Sequence, residues 1–147
     1  MSDSQVILRL TLSVVLSGVI GLERQLHRRS AGLRTHILVC LGSCLIMLTS
    51  LYVFDIYKDK TNLDPARIAA GVITGIGFLG AGTIMREKEG VKGLTTAASL
   101  WLVAGIGLAV GCGFLNAAIF STGLGVIVLI FLRYVEGMMF GKEEVKH

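Results

Sequence analysis

Apolar residues along this chain come in long runs separated by short charged blocks. A bilayer core about 30 Å thick needs roughly 20 mostly apolar residues per helix. Five runs meet that length: Gln5 to Leu22, Thr35 to Phe54, Ala66 to Met85, Leu94 to about Gly111, and Phe114 to Leu132. The pattern predicts an all-α, polytopic membrane protein with about five transmembrane helices. The first contains one charge, Arg9. Asp64-Pro65 opens the third run as an N-cap followed by a proline at the first helical position. Tyr52, Phe54 and Tyr57 end the second run, where an aromatic belt belongs. Gly111-Cys112-Gly113 leaves room only for an antiparallel turn between the fourth and fifth runs.

Charge sets the expected orientation. An odd number of spans puts the termini on opposite sides, and Lys and Arg concentrate in cytoplasmic loops. Ten of the 14 basic residues fall on one side: Arg24, Arg28, Arg29, Arg34, Arg86, Lys88, Lys92, Arg133, Lys142 and Lys146. Arg9, Lys58, Lys60 and Arg67 fall on the other. The N-terminus is therefore expected outside and the C-terminus in the cytoplasm. The Gly-Leu-Glu-Arg-Gln after the first run is not a small-x-small cleavage site, so that run reads as a retained anchor.

Composition agrees. The chain is 53% hydrophobic, 16% charged and has a mean hydropathy of +0.74. Soluble domains carry about 25% charged residues. The net charge of +4 sits in loops between apolar runs, which speaks against nucleic acid. Cys40, Cys44 and Cys112 give no disulfide framework. Cys40 and Cys44 share a helical face, and buried packing is their plainest role.

Within the third run, Gly75-Ile-Gly77-Phe-Leu-Gly80 matches the G-x-G-x-x-G of dinucleotide-binding turns in letters. The context is missing: no strand precedes it, and no acidic residue lies about 20 residues on. At 100° per residue, Gly71, Gly75, Gly82 and Phe78 share a sector, with Ala70, Thr74, Gly77 and Ala81 beside it. Such a small face, with Gly80, suits close helix packing. The alternative is a partly unwound helix lining a site.

Three stretches, "GLERQLHRRSAGLRTHILVCLGS", "DPARIAAGVITGIGFLGAGTIM" and "VKGLTTAASLWLVAGIGLAVG", follow one another across almost the whole chain. Together they resemble the membrane domain of the MgtC/SapB family. The resemblance implies a transmembrane domain over residues 1–140 and a short cytoplasmic tail over 141–147, without the ACT-like domain of longer members. Many members carry glutamine where Gly71 stands. The resemblance also implies a bacterial inner-membrane protein tied to magnesium limitation and virulence.

Polar residues at the span ends are the functional candidates. Glu23, Arg24 and Arg34 would form the family's charged cluster, either as snorkelling interfacial anchors or as an ordered network. Asp64 and Arg67 stand at the mouth of the third span, for capping or for contact with a cation or partner. Arg9 is expected to reach water or to pair with Asp64 or Asp55. Thr95 and Thr96 serve as a helix cap or as bonds between helices. Trp101 is expected to pack on a neighbouring helix, within the chain or across a dimer interface. His27, His36 and His147 follow no metal-ligand spacing. Cys40 or Cys44 with His36 is the only pair resembling a nucleophile and base, and no third group orients it. The chain is therefore expected not to be an enzyme and to hold no metal or cofactor.

The leading expectation is a regulatory membrane protein that binds other membrane proteins. The family resemblance implies restraint of the F-type ATP synthase as one such role. A homodimer is also expected. The alternative is a magnesium transporter or channel. Mg²⁺ prefers carboxylates and retained waters, yet Glu23, Asp55, Asp64 and Glu136 all lie at span ends.

Overall fold

The computed structural model describes residues 1–59, 62–88 and 90–140, with the backbone alone at 136 and 140. The expected tail 141–147 lies outside the described residues. Among the described residues five helices form: α1 (Asp3–Leu26), α2 (Leu33–Tyr57), α3 (Pro65–Gly82), α4 (Leu94–Cys112) and α5 (Leu115–Phe140). All five are long and apolar enough to cross a membrane. Between α3 and α4 stands an antiparallel hairpin, β1 (Met85–Glu87) and β2 (Gly90–Lys92), in which Arg86 faces Val91.

The helices run past the apolar cores read from the sequence, except the third. It stops at Gly82 rather than Met85, because the next residues pair as β1 and β2. Gly93 at φ 90° then starts α4, a left-handed geometry that a side chain would strain. The third helix is otherwise continuous from Pro65, so its glycines do not unwind it.

The centre of the bundle is α1, α2 and α4; α3 leans on α2 and α4, and α5 on α1 and α4. Ile20, Cys40, Cys44, Val103, Ile106 and Val110 are buried there. Close approach depends on glycines outside the third span. A Cβ on Gly21 would meet the Leu33 Cα at 2.9 Å. One on Gly107 would meet the Cys40 carbonyl, and one on Gly111 the Met47 Cβ at 2.6 Å. Gly107-x-x-x-Gly111 is thus the G-x-x-x-G that packs within the chain, bringing α4 onto α2.

Buried hydroxyls in this seam find partners on their own helices. Ser13 donates to the Leu10 carbonyl at 2.7 Å, Ser17 to Ser13 at 2.6 Å, and Ser43 to Val39 at 2.8 Å. A membrane interior offers no water to satisfy them otherwise.

The small face of α3 is different. Among the described residues, a Cβ added to Gly80 would meet Ala97 of α4 at 3.6 Å. Cβ atoms on Gly71, Gly75, Gly77 and Gly82 would meet nothing within 4 Å among the described residues, and Phe78 is 82% exposed. Trp101 on α4 is likewise exposed rather than packed within the chain.

Candidate functional site

The end of the bundle formed by the C-termini of α1, α3 and α5 and the N-termini of α2 and α4 carries a buried charged knot. Glu23 and Arg24 face inward from the last turns of α1. They are 6% and 3% exposed, so the snorkelling reading gives way to the network reading. Arg133 of α5 donates to Glu23 Oε1 from 110 residues away. Arg24 Nη1 lies 3.7 Å from Glu23 Oε2, and His27 Nδ1 lies 3.2 Å from Oε1. One carboxylate therefore faces two guanidiniums and an imidazole. Glu23 Oε2 and Arg24 Nε have no hydrogen-bond partner among the described residues, so at those atoms attraction between charges, not hydrogen bonding, closes the knot.

Around it runs a chain of polar contacts. Arg24 Nη2 and the Ser30 hydroxyl each approach Thr96 Oγ1 at 3.4 Å. His36 is fully buried, with Nδ1 2.8 Å from the Gly32 carbonyl and Nε2 3.0 Å from Ser99 Oγ. A carbonyl only accepts, so Nδ1 carries the proton and Nε2 of a neutral ring accepts from Ser99. The Ser99 hydroxyl also lies 2.8 Å from the Thr96 carbonyl, so one proton serves two acceptors. With its nitrogens so placed, His36 does not turn to Cys40 or Cys44, and both thiols are free and buried.

Several expected roles change. Gly93, not Thr95 or Thr96, is the N-cap of α4. Thr96 is buried and bridges helices, while Thr95 is exposed. Arg34 is exposed at the start of α2 and stays out of the knot; Arg133 takes the place expected for it. No local signal marked Arg133, which read as one more basic residue after the last span.

At the opposite end, Asp64 caps α3, its carboxylate accepting the Ala66 N–H at 2.9 Å. Arg67 is exposed and, with Asp64, Ser50 and Phe54, lines a hollow of about 230 Å³. The Ser50 hydroxyl donates to the Pro65 carbonyl at 2.6 Å and ties α2 to the start of α3. Arg9 is half-buried and, among the described residues, forms no ion pair with Asp55 or Asp64. Its Nη1 donates to the Gly111 carbonyl at 2.7 Å, satisfying a backbone acceptor at the C-terminus of α4, where positive charge is favoured.

Among the described residues, no group of three or more His, Cys, Asp or Glu is placed to hold a metal ion.

The sequence matches the MgtC family over residues 10–138. Protein MgtC of Salmonella typhimurium LT2 is 45% identical over 128 residues, covering 86% of this chain and 52% of that protein. YhiD of Escherichia coli K12, which is named as a candidate magnesium transporter, is 44% identical over 128 residues, 86% of this chain and 60% of YhiD. SapB of Bacillus subtilis 168 is 39% identical over 137 residues, 90% of this chain and 59% of SapB. The chain thus spans between half and three-fifths of the length of these relatives. No solved structure matches it.

Proposed function

Since the chain belongs to the MgtC family, we propose that this magnesium-related, multi-pass membrane protein acts as a regulator by binding another membrane protein. The open face of α3 carries this reading. A Cβ added to Gly71, Gly75 or Gly77 meets nothing within 4 Å among the described residues, whereas one on Gly21, Gly107 or Gly111 in the α1–α2–α4 seam meets a neighbour at once. In lipid, helices associate through close backbone approach at small residues, and a face of this kind suits a partner helix. The family resemblance points to the F-type ATP synthase as the partner, and to magnesium-limitation adaptation and virulence as the setting. The bias of basic residues supports a bacterial inner-membrane location with the charged knot on the cytoplasmic side. A second copy is the competing occupant of the same face.

Magnesium transport, the reading offered by the name of YhiD, ranks lower on charge grounds. Glu23, the one buried carboxylate among the described residues, is turned toward Arg24, Arg133 and His27. Cations already surround the oxygens that Mg²⁺ would need. Flux into reconstituted liposomes above empty controls would reverse this ranking.

Crosslinking in native membranes at physiological expression tests the proposal. A defined larger membrane protein should be recovered with the chain. Recovery of self-contacts alone contradicts it.

A further inference from the structure

His36 stands where the three central helices meet. It lies in the first turn of α2 and is fully buried. A Cβ on Gly21 of α1 would come within 3.0 Å of the His36 Cβ, and Ser99 of α4 bonds the ring. Ionisable side chains inside a membrane bundle are costly, and they mark proton sites, ion paths and counter-ions. The hydrogen bonds of this ring fit two charge states. When it is neutral, Nδ1 donates to the Gly32 carbonyl at 2.8 Å and Nε2 accepts from the Ser99 hydroxyl at 3.0 Å. The same hydroxyl lies 2.8 Å from the Thr96 carbonyl. A proton added at Nε2 would donate to Ser99 Oγ, and the Ser99 O–H would turn to that carbonyl. Both ring donors are then satisfied by one hydroxyl rotation. A ring fixed as neutral would be served by a partner that only donates; a hydroxyl donates and accepts.

The charges around the ring come from the knot. Glu23 and Arg24 of α1 act on it directly. Arg133 of α5 and His27 at the end of α1 reach it through Glu23. On α2 itself stand the exposed Arg34 and, one turn on, the buried Cys40 thiol. The titratable side chains of α3 and α4 are Arg67 and Cys112, both at the opposite end of the bundle. Thr96 joins the ring to the knot. Its carbonyl faces Ser99, and its hydroxyl lies 3.4 Å from Arg24 Nη2.

We propose that His36 is a reversible proton site that couples acidity to the charged knot. The proton comes from water and binds the Nε2 lone pair. The Ser99 O–H···N bond breaks, and an O–H···O bond to the Thr96 carbonyl forms in its place. The ring then carries a positive charge, and it joins Arg24 and Arg133 in competing for the single Glu23 carboxylate. Histidine is the side chain whose ordinary range of charge change covers physiological pH. The inference does not depend on the identity of any protein partner.

The full chain, with isotope-labelled histidine and arginine in lipid nanodiscs, is titrated by nitrogen NMR from about pH 8 downward. His27→Gln and His147→Gln identify the His36 signals. At the alkaline end the His36 ring should show a protonated Nδ1 and a bare Nε2. On acidification Nε2 should gain a proton while the fold, followed by near-ultraviolet circular dichroism, is intact. The Arg24 Nε signal should shift with the same midpoint. A ring that stays neutral until the chain unfolds overturns the site. An Arg24 signal that does not follow His36, or follows only while His27 is present, overturns the coupling. Hydrogen bonds to a charged group are about twice as strong as neutral ones, so Ser99→Ala should lower the proton affinity of His36 about fivefold. Ser99→Thr keeps the hydroxyl and should keep most of the affinity. Thr122→Ala removes another buried hydroxyl, one bonded to the Ala118 carbonyl of α5, and should leave the midpoint in place. An unchanged midpoint in Ser99→Ala, or an equal fall in Ser99→Thr or Thr122→Ala, contradicts a proton held between His36 and Ser99.

Discussion

The third and fourth helices each carry a G-x-x-x-G pair, and the two pairs do opposite things. On α4, Gly107 and Gly111 sit against the backbone of α2, and half of the apolar window of that helix is buried. On α3, Gly71, Gly75 and Gly77 face outward, and 11% of its window is buried. The same residue type at the same four-residue spacing builds a core in one place and leaves a surface in the other. What separates them is the neighbours. Thr96 and Ser99 anchor α4 to Arg24 and His36, so α4 is drawn into the centre. Apart from the Asp64 cap, the tie holding α3 is the Ser50–Pro65 hydrogen bond at one end and contact with α2 and α4 along one side.

If that contrast is right, disturbing the knot should cost most. Glu23→Gln leaves the buried Arg24 and the half-buried Arg133 without their carboxylate. Breaking a buried pair this way costs about 3–5 kcal/mol, measurable as a lower midpoint of unfolding in mixed detergent. The loss should shrink sharply in an Arg133→Gln background, where one orphaned charge is already gone. Arg9→Met comes next, removing a charged hydrogen bond to the Gly111 carbonyl worth about 1.5–3 kcal/mol. Loss of this bond should also speed amide exchange at the turn between α4 and α5. Gly107→Ala pushes a methyl group into the Cys40 carbonyl and to 2.8 Å from the Ser43 Cβ. Overpacking of this kind costs about 1–3 kcal/mol, read as a fall in melting temperature. Gly75→Leu is the opposite extreme. It meets open space, so stability should move by no more than about 0.5 kcal/mol, while recovery of the crosslinked partner falls. A Gly75→Leu chain as unstable as Gly107→Ala would erase the distinction between the two helices.

Much of the frame was legible in the chain. Five apolar runs became five helices, Asp64 capped the third, and Gly111-Cys112-Gly113 marked the tight turn where Gly113 takes φ 90°. These features are local, set by a few adjacent residues. The knot was half legible. Glu23 and Arg24 stood out as charges at a span end, but their partner Arg133 is 110 residues away, and Arg9 finds its carbonyl 102 residues away. Pairing at such distance is decided by how the helices dock, which no local pattern records. The hairpin escaped for a different reason: its strands are three residues long, too short for alternation to show against a charged loop. The glycines of α3 were visible as a face, but periodicity tells which residues share a side and not what that side touches.

The central claim is that α3 presents a protein-binding face and α4 an internal one. A photo-crosslinking residue placed in turn at Gly75 and at Gly107, in cells expressing the chain at its natural level, measures this directly. The account predicts a discrete adduct with a larger membrane protein from position 75, and from position 107 only bonds within the chain, to α2. Adducts from position 75 consisting of lipid or of a second copy alone would contradict it.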